Sequence, residues 1–529
     1  MITVLLVDLG TPRDEVSEPL GIETLAPYVE KEFGSRVQVE LKSLELDNFT
    51  SLAPYLSQPY SVIGLSTKIR AYDRFVNSME AIRKKSPRSK VFIGDVLSTY
   101  AFEEVLKQYP EVICVRGEGE DSFVRALKAL FFSDNPEQGL RCVPNLAFIV
   151  NGEIVVTERK PFDTQQALFP KRTLAPVVFQ QYGLGRLEAS RGCAYSQCSF
   201  CGVVEKYSKP EWKPMDLDFV VEELKTLSTM GFTSPYFTDE DFFGNDIARV
   251  YKLCDRILEE KRASTINPKM DLYLNLRVNS VLGTEFGGEN EAKKLLKKLL
   301  QIGVREVFIG IESGCREQLV KRYRKGVNKQ NNIKAIKILR QLGFEIDLGF
   351  IFFDQDSTLQ EMRENLNFIY QAGIARQDSQ LIKKIRIEPR TPVGLKFLAD
   401  NPEAKIDLDS IDYPYEFKQA EVAVIFNIFN QWQSKDLDVV YNLQSFCRGE
   451  IPKGHSRKEV KSIISQYREL DVNFLSAILS VFQIGGFSRD YRIRETIKEF
   501  EAKRNSLDYL LLKRVQWLDS NFRRFRIQP

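Results

Sequence analysis

The feature that most constrains this chain is an alternation of short apolar, β-branched runs with amphipathic helical stretches, which occurs twice and then stops. In the first 140 residues the strand-like runs are 3–9, 37–44, 61–66, 90–94 and 112–115, and the helical periods are 20–33, 72–84, 101–109 and 121–131. Continuously apolar strands are buried on both faces, and intervening helices make neighbouring strands parallel. The region therefore predicts a doubly wound parallel sheet. Ligands of such sheets lie at the carboxyl ends of the strands, here the loops at 8–10, 66–68 and 94–98.

Residues 141–186 read as a linker, with an Asn151-Gly152 hairpin signal followed by a Pro-containing stretch over 161–176. The alternation resumes at 187 with strand-like runs at 187–191, 234–238, 272–278, 306–311, 345–353 and 382–387. Helical periods fall at 217–230, 246–261, 291–302, 329–342 and 359–372. Six βα units predict a partial (β/α)6 barrel with its site on the loops after the strands. From 395 the pattern is helical and rich in aromatics. The α/β chain thus divides into 1–140, 141–186, 187–394 and a helical 395–529.

A hydrophobic fraction of 43% and a charged fraction of 28% exclude wholesale disorder. The balance of 75 Lys and Arg against 72 Asp and Glu argues against a DNA-binding protein. The longest apolar stretch, 472–487, contains Asn473, Ser476, Ser480 and Gln483 and is too short to span a bilayer. Residues 1–10 lack a basic leader and read as a strand, so a cytoplasmic location is expected. In that reducing compartment the eight Cys are seldom structural disulfides. The single His, His455, excludes every site needing two imidazoles, and its polar Lys-Gly-His-Ser-Arg surroundings lead to the expectation of a solvated loop.

Cys193, Cys198 and Cys201 fall within nine residues directly after a predicted strand. A tetrahedral zinc site wants a fourth ligand, and the only His is distant. A 4Fe–4S cluster normally takes four thiolates, so three leave one iron open to a further ligand. The bland reading is three small buried apolar residues. Cys114, Cys142, Cys254, Cys315 and Cys447 are dispersed and read mostly as buried filler. Cys315 follows a predicted strand end, which makes it a candidate to face substrate.

Ser190-Arg-Gly-Cys193 with Cys198-Ser-Phe-Cys201 resembles the cluster loop of the radical S-adenosylmethionine (SAM) superfamily, with four residues where three commonly separate the first two Cys. The resemblance extends over roughly 1–395. Residues 236–243, Asn275-Leu-Arg277, Gly310 to Gly314, Gly349 to Asp354 and Arg390-Thr-Pro392 follow at successive strand ends in the family's order. It implies that Cys193, Cys198 and Cys201 ligate a 4Fe–4S cluster. It also implies that Phe200, Asp239, Glu240, Asn275, Arg277 and Glu312 contact SAM. In that family the open iron chelates SAM, and one electron from an external reductant cleaves its C–S bond to a 5′-deoxyadenosyl radical. That step needs no side-chain acid–base pair, so a single His is no obstacle.

Residues 19–28 and 115–120 resemble the cobalamin-binding domain attached to many such enzymes, which implies a C-methyltransferase acting on a small molecule or peptide. Three loops depart from the pattern. Asp8-Leu-Gly10 stands where a cobalt-ligating His would follow the first strand, Gly94-Asp95 replaces Gly-Gly, and Ser66-Thr-Lys68 replaces Ser-x-Leu. The domain either binds cobalamin without a His ligand or is a scaffold that has lost it. The alternatives are a radical rearrangement, a cyclisation, transfer-RNA methylthiolation and a non-catalytic iron–sulfur protein. Methylthiolating enzymes carry a second cluster on an N-terminal three-Cys domain, whereas residues 1–140 contain only Cys114. An iron–sulfur carrier needs neither an open iron nor a barrel. Phe522-Arg-Arg-Phe-Arg526 interleaves basic and aromatic side chains as an RNA contact would, or as a solvated helix end does.

Overall fold

The computed structural model describes residues 1–11, 16–435, 437–450, 456–484 and 489–521. His455 and the Phe522–Arg526 segment lie outside them. The chain separates into two compact units, Met1–Asn275 with Arg386–Pro414, and Leu276–Ile385 with the described residues from Tyr415 onward.

The first unit begins with β1 (Ile2–Asp8), β2 (Val37–Ser43), β3 (Val62–Ser66), β4 (Lys90–Gly94), β5 (Val112–Val115), β6 (Leu146–Val150) and β7 (Glu153–Val156). They form one sheet in the order β2-β1-β3-β4-β5-β6-β7. The first five are parallel, as the unbroken apolar runs require, and β6 and β7 are antiparallel. Leu5 and Val7 of β1 pack on one face against Ile63, Phe75 and Met79, while Val4 and Leu6 pack on the other against Ala26, Val29 and Phe123. Asp8 is in register with both Ser43 and Ser66, and Ser66 with Gly94. The strand order reverses between β1 and β3, which opens a crevice at that carboxyl edge. The segment expected as linker contributes β6 and β7. Their turn holds Asn151 and Gly152 at φ +52° and +84°, the left-handed pair that a tight hairpin needs.

The same unit continues with β8 (Arg186–Leu187), β9 (Ser190–Gly192), β10 (Trp212–Pro214), β11 (Tyr236–Phe237) and β12 (Leu272–Leu276). β11 pairs in parallel with β8 and with β12, and the helices Leu217–Thr229 and Ile247–Arg262 connect these strands. The single strand expected over 187–191 is broken. The Asp239 carboxylate takes the Ala189 amide (3.0 Å) and the Ser190 hydroxyl, and β9 turns away to pair antiparallel with β10.

A buried carboxyl in this unit sets a pH dependence. Glu23, fully buried on the helix Leu20–Phe33, accepts the Leu174 amide at 2.8 Å. Burial, then the neighbouring Glu18, pushes its pKa well above the ordinary value. The folded chain therefore keeps a proton that the unfolded chain releases as pH rises through the carboxylate range. Stability from this group is complete at low pH and is lost as pH rises towards the folded value. Glu23→Gln is expected to remove a slope of at most about 1.4 kcal/mol per pH unit, read from urea midpoints of variant and parent across that range.

In the second unit β13 (Val304–Glu312) and β14 (Glu345–Phe350) pair in parallel from Glu306 against Glu345. The helices Lys329–Leu342 and Leu359–Gln371 start on reciprocal capping boxes at Asn328 and Thr358, each satisfying two otherwise orphaned groups. The sixth run, expected as a strand over 382–387, is reduced to one bridge between Phe353 and Lys384. The helices Ala420–Ser434, Leu437–Arg448, Arg457–Ile484 and Arg489–Asn521 follow. Trp432 stacks on Phe474 (4.2 Å between centroids) with the Arg504 guanidinium on its ring (3.5 Å). Among the described residues no helix is long and apolar enough to cross a membrane.

Candidate functional site

The three-Cys loop leaves β9 through Gly192, whose φ is +85° and whose Cβ would lie 2.0 Å from the Glu211 carbonyl. Only glycine fits there, which accounts for the Ser-Arg-Gly that precedes Cys193. Cys193, Cys198 and Cys201 are half-buried. Cys201 N donates to Cys198 O (3.2 Å), and Ser199 O accepts from Val393 N (3.0 Å). Asp241 accepts from Ala194 N (3.2 Å), lies 3.9 Å from Cys193 Sγ, and receives Gly244 N (3.3 Å). Among the described residues no three Cys, His, Asp or Glu side chains close into a metal cage. The fit to a cluster therefore rests on the loop and on the chemistry of its donor set, three thiols and no imidazole, which suits iron–sulfur ligation.

The other residues expected at the cofactor fall into two groups. Phe200 is half-buried beside Cys201. Asp239 is buried, and burial pushes its pKa up to about 7 against the hydrogen bonds from Ala189 and Ser190. It anchors the break between β8 and β9. Glu240 accepts from Lys206 Nζ (2.7 Å), Tyr207 Oη (2.8 Å) and Gly192 N (3.3 Å). Asn275 accepts from Tyr236 Oη (2.8 Å) and donates to Asp239 O (2.6 Å). These four lie with the Cys loop in the first unit. Arg277 and Glu312 belong to the second. There Arg277 makes a two-pronged pair with Glu285 (2.8 and 2.6 Å), and Glu312, at φ +55°, pairs with Lys325 (2.9 Å). Cys315 is buried, and burial pushes its thiol up to about 11, so it is neutral rather than nucleophilic at ordinary pH. Cys114, Cys254 and Cys447 are buried as expected, whereas Cys142 is exposed.

A cavity of about 460 Å³ opens at the carboxyl edge of the seven-stranded sheet. Its apolar wall includes Leu6, Ile22, Leu25, Phe92, Ile93 and Phe123, and its opposite wall includes Glu188, Arg191, Lys206, Tyr207, Thr238 and Glu388. The cavity thus lies between the doubly wound sheet and the start of the second alternation, all within the first unit. Its walls are tied together by charge. Arg191, from the Ser-Arg-Gly motif, pairs with Glu118 (3.0 Å), Glu120 (2.7 Å) and Glu188 (2.8 Å), and Lys213 pairs with Glu118 (2.7 Å). Burial opposes the Arg191 charge, but its three carboxylates hold its pKa well above the ordinary value. Tyr100, on the cavity wall, donates to Gly202 O (2.7 Å) directly after Cys201.

The three departing loops meet at this edge. Asp8 takes Lys68 Nζ (3.1 Å) and the Ser43 hydroxyl (3.3 Å). Asp95 has φ +72°. The left-handed backbone that a second glycine would adopt freely is therefore kept, with a carboxylate added. A Cβ on Gly94 or on Gly21 would meet nothing within 4 Å, so both leave open space at the cavity. Among the described residues the lining contains no His and no Cys. Sequence reasoning did not single out Tyr100, Lys206, Tyr207 or Glu388, which carry no local motif, whereas Thr238 lies inside the 236–243 motif. Glu118, Glu120 and Arg191 did lie inside quoted motifs.

Comparison with known proteins places the second alternation. Residues 187–369 match the model of the Radical SAM superfamily, so the chain carries a radical SAM domain, a class whose chemistry implies a 4Fe–4S cluster and SAM. The chain is 27% identical over 391 residues to 4′-phospho-dehydrooxetanocin synthase of Priestia megaterium, covering 69% of this chain and half (50%) of that protein's length. The solved structure of the cobalamin-dependent SAM radical enzyme OxsB, with aqua-cobalamin and SAM bound, superposes with a TM-score of 0.75 at 19% identity, covering 100% of this chain and 82% of that one. The radical SAM methyltransferase TsrM from Kitasatospora setae, with cobalamin and a 4Fe–4S cluster bound, gives a TM-score of 0.62 at 16% identity, covering 94% of this chain and 100% of that one. These likenesses show the fold: an N-terminal parallel sheet, a radical SAM sheet and a helical C-terminal region.

Proposed function

We propose that the protein is a cobalamin-dependent radical SAM methyltransferase acting at carbon on a small molecule or peptide. The observation that carries this reading is the cavity, whose second wall comes from the domain that bears the cluster loop. A ligand in the crevice of the doubly wound sheet is thereby placed next to that loop. The cavity suits a corrin in three respects. Its sheet-side wall is largely apolar, Gly21 and Gly94 leave room, and two helices starting at the mouth already carry Asp95 and Glu120 in their first turns. Those carboxylates occupy helix starts that would otherwise grip a terminal phosphate, which disfavours a nicotinamide or flavin nucleotide.

In this reading Cys193, Cys198 and Cys201 hold the cluster, while Phe200, Asp239, Glu240 and Asn275 shape the SAM side of the loop. The family resemblance also assigns Arg277 and Glu312 to SAM. When bound, the cluster and SAM supply a 5′-deoxyadenosyl radical and the cobalamin supplies a transferable methyl group. Glu240 fixes Lys206 and Tyr207 of the cavity wall to Gly192 of the loop, so the two cofactor regions share one rigid connection. Arg191 and Lys213 hold the walls closed through Glu118, Glu120 and Glu188 and limit water entry. Among the described residues the lining supplies no imidazole. The domains are drawn at 1–140, a connecting 141–186 whose β6 and β7 extend the first sheet, 187–394 and 395–529, and the setting is a reducing cytoplasm with an external one-electron donor and no DNA partner.

The test is anaerobic reconstitution of iron and sulfide followed by titration with hydroxocobalamin. Stoichiometric corrin absorbance, 5′-deoxyadenosine formation and label from methyl-labelled SAM in the product are expected. A second reading is radical rearrangement without methylation; the Priestia megaterium relative that aligns with 69% of this chain is named a synthase and not a methyltransferase. It predicts 5′-deoxyadenosine with no label in the product.

A further inference from the structure

The charged groups around the cavity are mostly acidic, and most of the acids are already answered. Asp8 has Lys68. Glu118, Glu120 and Glu188 have Arg191, and Glu118 also has Lys213. Glu388 has Arg386. Asp95 differs. It is half-buried, lines the cavity, and its carboxylate takes, among the described residues, only a hydrogen bond from the Ser66 hydroxyl (3.0 Å). Among the described residues no cation pairs with it. Its left-handed φ is one that Asp and Asn tolerate and that most side chains do not, so the carboxylate is held in a fixed place where Gly94 leaves the wall open.

A carboxylate that lacks a cation at the mouth of an apolar cavity is an acceptor awaiting a donor. It attracts neutral N–H groups and repels another carboxylate, and both effects are strengthened by the low local dielectric. A corrin ring presents a fringe of side-chain amides, each with two N–H donors. We propose that Asp95 receives a side-chain amide of the corrin, so that the protein selects fully amidated corrinoids and rejects those with carboxylates in the same positions. The inference rests on the cobalamin-binding reading above and adds its specificity.

The departure at this position is then a gain of function for the loop. A second glycine would give the same backbone turn with no polar group. Asp keeps the turn and adds the acceptor.

The test uses the intact chain and binding alone. Hydroxocobalamin, cobinamide and cobyrinic acid are titrated separately into the protein, and bound corrin is read from absorbance after gel filtration. Cobinamide and cobyrinic acid both lack the nucleotide tail, so their main difference is amide against carboxylate. Cobinamide is expected to bind roughly tenfold to hundredfold tighter than cobyrinic acid, the range of a hydrogen bond to a charged group. Asp95→Asn is nearly isosteric and tolerates the same φ. It is expected to weaken hydroxocobalamin and cobinamide binding by up to about tenfold while relieving the repulsion of cobyrinic acid, so that the cobinamide preference falls by about tenfold. Equal binding of cobinamide and cobyrinic acid overturns the selectivity while leaving cobalamin binding intact. A preference unchanged in Asp95→Asn overturns the assignment to Asp95. Failure of hydroxocobalamin itself to bind overturns the underlying reading and this inference with it.

Discussion

Replacing Cys193, Cys198 and Cys201 together with Ala is expected to abolish the visible absorbance of the reconstituted cluster and to reduce 5′-deoxyadenosine formation to background. Removing all three thiolates leaves an iron–sulfur cluster no protein ligand on the loop. The loop itself has anchors that do not depend on sulfur: Ala194 N on Asp241, Val393 N on Ser199 O, and Tyr100 Oη on Gly202 O. All three cysteines are half-buried rather than core residues, so their truncation leaves no large internal void. None of them lines the cavity, and hydroxocobalamin binding is therefore expected to survive within about threefold. The pairing of lost cleavage with retained corrin binding separates a cluster defect from unfolding. SAM cleavage persisting in the triple variant would sink the assignment of the cluster.

The same separation shows which parts of the fold were legible. Strands such as β1 and β3 are buried on both faces, so their composition alone marks them, and the parallel order follows from the helices between them. Asn151-Gly152 marked a hairpin, but nothing local tells that a hairpin in an apparent linker will extend the sheet. That depends on the free edge of β5, which β6 covers. The run 187–191 read as one strand because its break is imposed from fifty residues away, by Asp239 on Ala189 and Ser190. The run 382–387 has strand composition but makes a single bridge. At the site, the three Cys and Arg191 sit inside a compact motif and were visible. Lys206, Tyr207 and Glu388 matter only through Glu240 and Arg386, partners that spacing does not reveal. Asp95 was noted as a departure, and only its φ shows that the departure preserves the turn.

The largest stability effect in the first unit is expected at Arg172. Its guanidinium is buried between Glu18, at 2.5 Å, and Glu223, and it also donates to Arg186 O at 3.0 Å. All three side chains are at most 3% exposed. Burial works against the Arg172 charge, but Glu18 and then Glu223 hold its pKa above the ordinary value. Glu18 also accepts Arg186 N (3.0 Å), so this group joins the segment before the first helix to the entry of β8 and to the helix Leu217–Thr229. Arg172→Met removes the only positive charge of the triad and leaves two buried carboxylates facing each other. The cost is about 3–5 kcal/mol, since breaking a buried pair strands its partner without hydration. The triple change Arg172→Met, Glu18→Gln, Glu223→Gln removes every charge and is expected to recover most of that loss, because a neutral buried group carries a far smaller desolvation penalty. The pH response discriminates further. Carboxyls stranded by Arg172→Met can become neutral by binding protons, so the deficit of the single variant shrinks as pH falls, and the triple variant shows no such trend. A single variant as stable as the parent across pH would mean that the triad adds specificity of docking rather than stability.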